Sequence, residues 1–536
     1  MRAMFWIAPL LLLLSGIACS SAGPVAPSNN EGRPVSGGTF KVAASQPFDF
    51  DLSYTGSNSG AIYLKEAYST VLRLKTGPDI GFNQVEIEPS LAERWEIAPD
   101  AKTFTFHLRK GIKYANLPPV NGRELTSADV KFSYEYSART GEFAKLQAST
   151  FAYMFEGLES IQATDPYIVV VKFKEGFAPF LSYVASSDNP IMPREIYAQD
   201  GHFKDRVVGT GPFQLDVAAS LPNARQIMKK NPTYFEQGKP YLDQVDNIII
   251  ADEATRLGAF ASKQLDYYGE SVDAGVTAEV KRAVPSAFEY EFLSTPRILA
   301  LNFQRPPLNN PQVRKAISLG IDRDELIKVQ GGGKGEWGVA MTNIFNDLFT
   351  PQEVKAIVRQ DVEEAKRLLQ QAGFGQGFQA ELIFNAEGAD SRAAQLYQSQ
   401  LKKIGVNITL KPLESAEVTR RRRAKDLDML VLVEAQRIDL DGQLFLATYT
   451  GGGFNYNNVS DAKADKLILA QRSEVDPAKR RELLRELIRY LNESALQIPT
   501  YRVGTSLIWH PYVRGFYQSA DRRTQGVKTD VWLANQ

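Results

Sequence analysis

The sequence predicts an exported α/β protein with more than one domain. The chain has 536 residues, of which 43% are hydrophobic and 23% charged, so it is long enough for several cores. Residues 361–410 follow the order helix, strand, helix, strand, which is typical of an α/β lobe with parallel strands. An apolar segment close to the N-terminus has the length and flanking residues of an export signal.

The predicted order of helices and strands rests on residues that typically begin and end helices. Asp361 is placed to cap a helix over residues 362–372, with Glu364 completing a capping box and Gly373 ending the helix. Further helix patterns occur at residues 61–74, 391–404 and 478–491, and strand patterns at 39–44, 103–108, 165–174, 245–251, 406–410 and 427–433.

The N-terminus has the features of a lipoprotein signal peptide. Arg2 precedes an apolar run, residues 5–14, that is too short to cross a bilayer as a stop-transfer helix. Small residues then lead to Cys19, as in a bacterial lipobox, although Gly16 replaces the usual Leu. Cys19 is the only cysteine, and acylation would give it a role, so we predict that residues 1–19 end at a lipidated Cys19. A plain secretory signal is the alternative.

The composition limits the classes of function. Residues 20–38 are rich in Ser, Gly, Pro and Asn and are predicted to be a flexible tether. Lys plus Arg and Asp plus Glu both number 62, so no net charge favours nucleic acid, and the basic run at residues 420–423 is interpreted as a solvated face. With three His and one Cys, we expect no metal site, no cofactor and no Cys/His nucleophile pair.

Several sequence blocks carry a family resemblance. They are PSLAERWEIAPDAKTFTFHLRKGIKY, LTSADVKFSYEY, VGTGPF, NPTYFEQGKPYLDQV, DEATRLGAFASKQLD, LNFQRPPLNNPQVRKAISLGIDRDELI, GFNYNNVSDAKADKLI and VRGF. In this order, over about residues 39–517, the series resembles the family 5 extracellular solute-binding proteins. These are the dipeptide, oligopeptide and nickel-type receptors of ABC importers.

The resemblance implies a two-lobed periplasmic-binding-protein-like α/β fold of type II, similar to cluster C, with an extra subdomain in the first lobe. Lobe one would comprise residues 39–299 plus 502–536, including the inserted subdomain at about 85–200. Lobe two would comprise residues 300–501. The chain would cross between the lobes near residues 300–303 and 499–501.

The resemblance also implies a function. The chain would be a monomeric lipoprotein in the periplasm or at the cell surface, anchored to the membrane by its lipid. It would capture a solute, a short peptide in the first instance, and deliver it to the permease subunits of an ABC transporter with their ATPase. It would bind no nucleic acid and have no catalytic residues. An oligosaccharide, an opine or a metal chelate is the alternative solute, and an exported hydrolase with paired carboxylates is a more remote alternative.

The first candidate binding segment is residues 434–441, which follow the predicted strand at 427–433, where an α/β lobe presents ligand groups. In peptide-binding relatives, an acid shortly before an Asp-Pro-Asp-like step pairs with the peptide's amino terminus. Asp439 begins the matching step here, but Gln436 occupies the acid position and Glu434 is the nearest carboxylate. Arg437 adds a cation. The alternative is an ion-pair network of Glu434, Arg437 and Asp439 at the surface.

Three further places are candidate ligand contacts. Phe454, Asn455 and Tyr456 follow three glycines that would let a solute approach the backbone, although a mobile hairpin tip fits the pattern equally well. Tyr54 lies in an early polar loop, and Trp337 follows a glycine-rich loop and could cover a cleft or pack in a core. Trp509 is predicted to be a core residue.

Overall fold

A computed structural model describes residues 32–44, 66–81, 84–147, 149–221, 224–269, 272–340, 348–386, 389–433, 437–517 and 529–534. The strands in these ranges are β1 Thr39–Ala44, β2 Leu72–Leu74, β3 Ile87–Pro89, β4 Ala92–Ile97, β5 Thr103–Leu108, β6 Leu158–Asp165, β7 Ile168–Phe173, β8 Phe213–Leu215, β9 Arg225–Lys230, β10 Gln244–Ile249, β11 Val272–Asp273, β12 Phe288–Leu293, β13 Arg297–Leu301, β14 Gly335–Trp337, β15 Phe378–Asn385, β16 Val406–Leu413, β17 Met429–Val433, β18 Tyr501–Trp509, β19 Val513–Arg514 and β20 Trp532–Leu533.

The helices in these ranges are α1 Ser127–Ala138, α2 Phe180–Ala185, α3 Arg194–Asp200, α4 Glu253–Ala261, α5 Ala274–Ala283, α6 Pro311–Leu319, α7 Arg323–Gly331, α8 Pro351–Ile357, α9 Val362–Gln371, α10 Ala389–Lys402, α11 Ser415–Arg423, α12 Leu440–Thr448, α13 Ala462–Ser473 and α14 Pro477–Glu493. Short 3₁₀ turns occur at Gly141–Phe143 and Ala152–Phe155.

The first lobe is built on mixed sheets that use strands from both ends of the chain. β1 runs parallel to β10, which continues antiparallel into β9 and β8. The late strand β18 pairs antiparallel with β11 and β12. Isolated bridges from Tyr267 to both Val42 and Trp509 connect the two groups of strands. Trp509 is only 2% exposed, which confirms its prediction as a core residue.

An antiparallel sheet in the order β4-β5-β7-β6 forms a separate layer. The alternation in β5 directs Phe104 and Phe106 into the core, where both contact the ring of Phe180 on α2. The predicted strand at residues 165–174 is a turn followed by β7, because the chain reverses between β6 and β7. The helix predicted from residue 61 does not reach its expected end, since Leu72–Leu74 is strand β2.

A further sheet, in the order β13-β17-β15-β16, lies mostly within the residues predicted for the second lobe. β15 runs parallel to both β16 and β17, and α10 connects β15 to β16, so the predicted parallel α/β arrangement is confirmed. Asp361 caps α9 by accepting a 2.9 Å hydrogen bond from the Glu364 N–H. The Glu364 carboxylate pairs with Arg367 at 2.6 Å instead of closing the predicted capping box.

Two large hydrophobic cores occur in the described part of the chain. One consists of side chains around the second-lobe sheet, such as Leu382 and Tyr397. The other is continuous from the aromatic residues of the first lobe to α12, α13 and α14, and includes Phe180, Phe445 and Leu487. The beginning of α12 therefore lies at a buried boundary between the two halves of the fold. Within the described ranges, no helix is both long and apolar enough to cross a membrane.

Candidate functional site

Arg437 occupies the short connection between β17 and α12. The connection ends in a defined turn, because the Asp439 carboxylate accepts a 2.9 Å hydrogen bond from the Asp441 N–H and caps α12. Arg437 is 6% exposed and Asp439 is 3% exposed. The alternative of a surface ion-pair network is therefore wrong for these two residues. Glu434 and Gln436, together with Tyr54 and Cys19, lie outside the described residues.

The guanidinium of Arg437 is surrounded by groups from distant parts of the sequence. Its Nη1 lies 3.6 Å from Oδ2 of Asp188, which is beyond hydrogen-bond length. Its Cζ lies 6.0 Å from the ring centroids of Phe151 and Tyr153 and 5.7 Å from that of Phe454. Such distances allow a cation–π attraction from both sides of the boundary. The predicted residues Arg437 and Phe454 are thus brought together.

Arg437 and Asp188 border a small cavity between the two halves of the fold. Its lining is aromatic and polar, and consists of Tyr153, Met154, Tyr183, Ser186, Asp188, Arg437 and Ile438. The cavity has a volume of about 10 Å³, which is room for about one water molecule. A larger solute at this place requires the two sides to separate and close again around it.

Asp441 forms the buried base of the site and is fully enclosed. Its Oδ2 accepts hydrogen bonds of 2.5 Å from the Tyr183 hydroxyl and 2.9 Å from Arg472 Nη2, and its Oδ1 accepts one of 2.6 Å from Gln471 Nε2. Burial alone would raise the pKa of Asp441, but the charge and hydrogen bonds of Arg472 outweigh it and hold that pKa below its usual value.

Asp439 also forms a buried ion pair, in this case with Arg480. Its two carboxylate oxygens accept hydrogen bonds of 2.6 and 3.0 Å from the guanidinium of Arg480. Burial of Arg480 opposes its charge, yet the charge of Asp439 raises the pKa of that guanidinium above its ordinary value. The carboxylates at the start of α12 are thus each paired with a cation. We infer that these ion pairs stabilise the loop that contains Arg437.

The segment after α12 supplies aromatic surface. The rings of Phe454 and Tyr456 stack at 5.9 Å, and Arg422 lies 4.8 Å from the Tyr456 ring. Asn455 is buried, and its amide donates to the carbonyl oxygens of Tyr449 and Val459 at 3.0 and 2.7 Å. The Asn455 amide therefore stabilises the conformation of this loop.

Trp337 lies at a different place. It ends β14 opposite Tyr501 on β18, and its indole Nε1 donates a 2.6 Å hydrogen bond to Asp324. The cations of Lys355 and Arg323 lie 5.0 and 5.6 Å from its ring. These contacts place Trp337 beside β18, whereas Arg437 lies near the aromatic residues Phe151 and Tyr153.

A larger cavity of about 240 Å³ lies wholly among first-lobe residues and was not foreseen from the sequence. Its charged lining is internally paired, since Arg73 binds Glu88 at 2.6 Å and Lys239 binds Asp530 at 2.5 Å. The small cavity at Arg437 has the stronger claim to solute binding, because residues of both halves meet there. In the described part of the chain, no cluster of three or more His, Cys, Asp or Glu side chains could hold a metal ion.

Comparison with known proteins identifies the family. The profile described as bacterial extracellular solute-binding proteins, family 5 Middle, matches residues 86–457, more than half of the chain. The chain belongs to this family. Its members bind peptides or other small solutes outside the cytoplasm and work with ABC transporter permeases.

Relatives of this family 5 protein cover almost its whole length. Di/tripeptide-binding protein 1 of Pseudomonas aeruginosa is 25% identical over 513 residues, which are 89% of this chain and 92% of the relative. The Helicobacter pylori periplasmic binding protein DppA, in complex with the peptide STSA, has a TM-score of 0.77 at 22% identity and covers 94% of this chain and 99% of its own. AgaA of A. tumefaciens R10, in complex with agropinic acid, has a TM-score of 0.79 at 24% identity, with coverages of 93% and 99%.

The sequence does not predict the residues that meet Arg437 from the first half of the chain. Phe151, Tyr153, Tyr183 and Asp188 lie in segments without a motif, and only the tertiary fold brings them to Arg437. The aromatic residues around position 153 were the one available signal, but the sequence gives no reason to separate them from core residues.

Proposed function

We propose that this family 5 protein captures a short peptide between its two lobes and delivers it to the permease of an ABC importer. The observation that carries the proposal is the position of Arg437, buried between Asp188 and Tyr153 from the first half of the chain and Phe454 from the second. A solute bound at this place would contact both halves, and those contacts would favour the closed state.

The lobe boundaries that we propose are residues 39–299 plus 502–536 and residues 300–501. The course of the backbone supports them, because the two predicted crossings lie side by side. The Leu299 N–H donates to the Ile498 carbonyl at 3.0 Å, and the Thr500 N–H donates to the Arg297 carbonyl at 2.8 Å. Paired strands of this kind allow small backbone rotations to swing one lobe relative to the other.

Two relatives support a short peptide as the solute. They are the di/tripeptide-binding protein of P. aeruginosa and DppA, whose structure contains a bound peptide. An opine-like acid is the second candidate. The similarity to AgaA with agropinic acid supports it. So does the sequence, because a neutral Gln436 replaces the acid that pairs with a peptide amine, while Arg437 stands next to it.

We further propose that the chain acts without chemical change of the solute, as a monomer held at the membrane through Cys19. The decisive test of the first point combines thermal unfolding with mass spectrometry across a panel of di- and tripeptides. A ligand that raises the melting temperature and is recovered intact supports a receptor. Cleavage of the peptide by the purified protein would instead identify a hydrolase.

A further inference from the structure

Arg437 is a buried cation whose hydrogen-bonding capacity is incompletely used. Its side chain is 6% exposed, and its Nη1 is enclosed without a hydrogen-bond partner among the residues that the structure describes. The carboxylate of Asp188 is 3.6 Å away, close enough for charge attraction and too far for a hydrogen bond. A buried donor without an acceptor is costly, so this arrangement favours an additional acceptor.

The two carboxylates described at the start of α12 have partners. Asp439 is bound by Arg480 and Asp441 by Arg472. A positively charged group of a solute at this turn would meet Arg437 as a like charge. A negatively charged group would meet a planar guanidinium, whose N–H groups match the two oxygens of a carboxylate.

We propose that Arg437 binds a carboxylate of the solute, and that Asp188 holds the guanidinium until the solute arrives. This inference rests on the proposed function and deepens it by naming the charge of the solute. The cavity at Arg437 has room for about one water molecule, about 10 Å³, so the incoming carboxylate displaces Asp188 as the two sides part and close again. Binding of the anion and closure of the lobes are thereby coupled.

The test uses calorimetric titration of the purified protein, freed of bound solute by unfolding and refolding. The probes are tri-alanine, N-acetyl-tri-alanine and tri-alanine amide. Loss of a buried charge-assisted contact weakens binding by about 30-fold or more, so the amide should bind that much more weakly than the acid. Acetylation removes only the ammonium charge and should change Kd less than about threefold.

Substitutions of Arg437 and of Asp188 separate the roles of the two partners of the ion pair. Arg437→Gln should weaken the binding of tri-alanine by about 30-fold and abolish the difference in affinity between tri-alanine and its amide. Arg437→Lys, which retains the charge but not the planar geometry, should recover part of the affinity. Asp188→Asn should strengthen binding of the acid, because it removes a competing negative charge. Arg420→Gln, on the exposed face of α11, is the matched control and should leave Kd unchanged.

Equal affinity of the wild-type protein for acid and amide would overturn the inference while the proposed peptide function stands. An Asp188→Asn variant that loses affinity as Arg437→Gln does would also overturn it, because the pair would then be only a structural link. If agropinic acid binds in an Arg437-dependent manner and none of the three tri-alanine probes binds, the peptide proposal fails and the carboxylate site stands. The unliganded melting temperature of each variant verifies that it is folded.

Discussion

The hydroxyl of Tyr183 donates a 2.5 Å hydrogen bond to Oδ2 of Asp441, joining residues 258 positions apart in the chain. Arg472 completes the contact from α13, because its Nη2 bonds both Asp441 Oδ2, at 2.9 Å, and the carbonyl oxygen of Tyr153, at 3.1 Å. The charges of Asp441 and Arg472 are buried and paired, so the network holds Tyr153 and Tyr183 against α12 and α13.

Substitution of Asp441 should therefore destabilise the protein strongly. Asp441→Asn leaves Arg472 as a buried cation without its counter-charge, which should lower the free energy of unfolding by about 3–5 kcal/mol. Tyr183→Phe removes a single hydrogen bond and should cost about 1–2 kcal/mol. Chemical denaturation measures both values. Glu417→Gln, in an exposed pair with Arg420, is the control with an effect near zero. A loss below about 0.5 kcal/mol for Asp441→Asn would contradict this account of the network.

The glycines before Phe454 offer a matched pair of variants. A Cβ on Gly452 would lie 2.5 Å from the carbonyl oxygens of both Phe445 and Leu446, whereas a Cβ on Gly453 would come only within 3.8 Å of Leu446. Gly452→Ala should thus displace the loop and lower the free energy of unfolding by about 1–3 kcal/mol. It should also weaken solute binding through Phe454. Gly453→Ala should be tolerated. Thermal unfolding and titration together check both statements, and equal behaviour of the two variants would refute them.

The stability of the protein should fall as pH decreases below about 6.5. His510 is buried between the rings of Phe260 and Tyr512, at 4.2 and 5.2 Å, and its Nε2 donates to the Phe260 carbonyl at 2.9 Å. Burial lowers the pKa of His510, an effect that Lys263 reinforces and Asp266 opposes. The folded protein therefore takes up this proton less readily than the unfolded chain, whose His titrates near 6.5.

The direction of the His510 pKa shift predicts how the free energy of unfolding changes with pH. The contribution of His510 is fully present above pH 6.5 and is lost as pH falls through the lower pKa of the folded state. Unfolding experiments in denaturant between pH 7.5 and roughly pH 5 measure the slope. His510→Gln should reduce it, because Gln does not titrate. A variant with the slope of the wild-type protein would assign the pH dependence to other groups.

The proposed attachment to the membrane through Cys19 can be tested separately. Cys19→Ser should move the protein from the membrane fraction to the soluble fraction of the native host, because a thioether-linked lipid cannot form on serine. Fractionation followed by immunoblotting measures the distribution. Ser20→Ala, next to the acylation site, is the control and should stay with the membrane. Retention of Cys19→Ser in the membrane fraction would rule out lipid anchoring at this residue.

The fold could be predicted from local patterns wherever a sequence feature is compatible with only one local structure. Asp361 marks the start of α9 and Gly405 follows the end of α10, as predicted, and the parallel pairing of β15 with β16 follows from the helix between them. The pattern at residues 61–74 gave the wrong result at its end, because Leu72 and Leu74 alternate with Arg73 in a strand that pairs with β3. Three residues are too few for a period to distinguish helix from strand.

The candidate site was predictable on one side only. Arg437, Asp439 and Phe454 follow a buried strand and a glycine-rich turn, which are features that local sequence reveals. Asp188 and Tyr153 reach Arg437 through the packing of residues from the first half of the chain on α12, and long-range packing leaves no local pattern. The partners of Asp439 and Asn455, which are Arg480 and the carbonyl oxygens of the loop, were not predicted either.

The most direct test of the central claim is mass spectrometry of the solute that the protein retains. The protein is refolded from denaturant in the presence of a mixture of host peptides, sugars and organic acids, then separated from unbound solute and denatured again. The account predicts the release of short peptides with a free C-terminal carboxylate. Release of an oligosaccharide or a metal chelate, with no compound that contains a peptide bond, would contradict it.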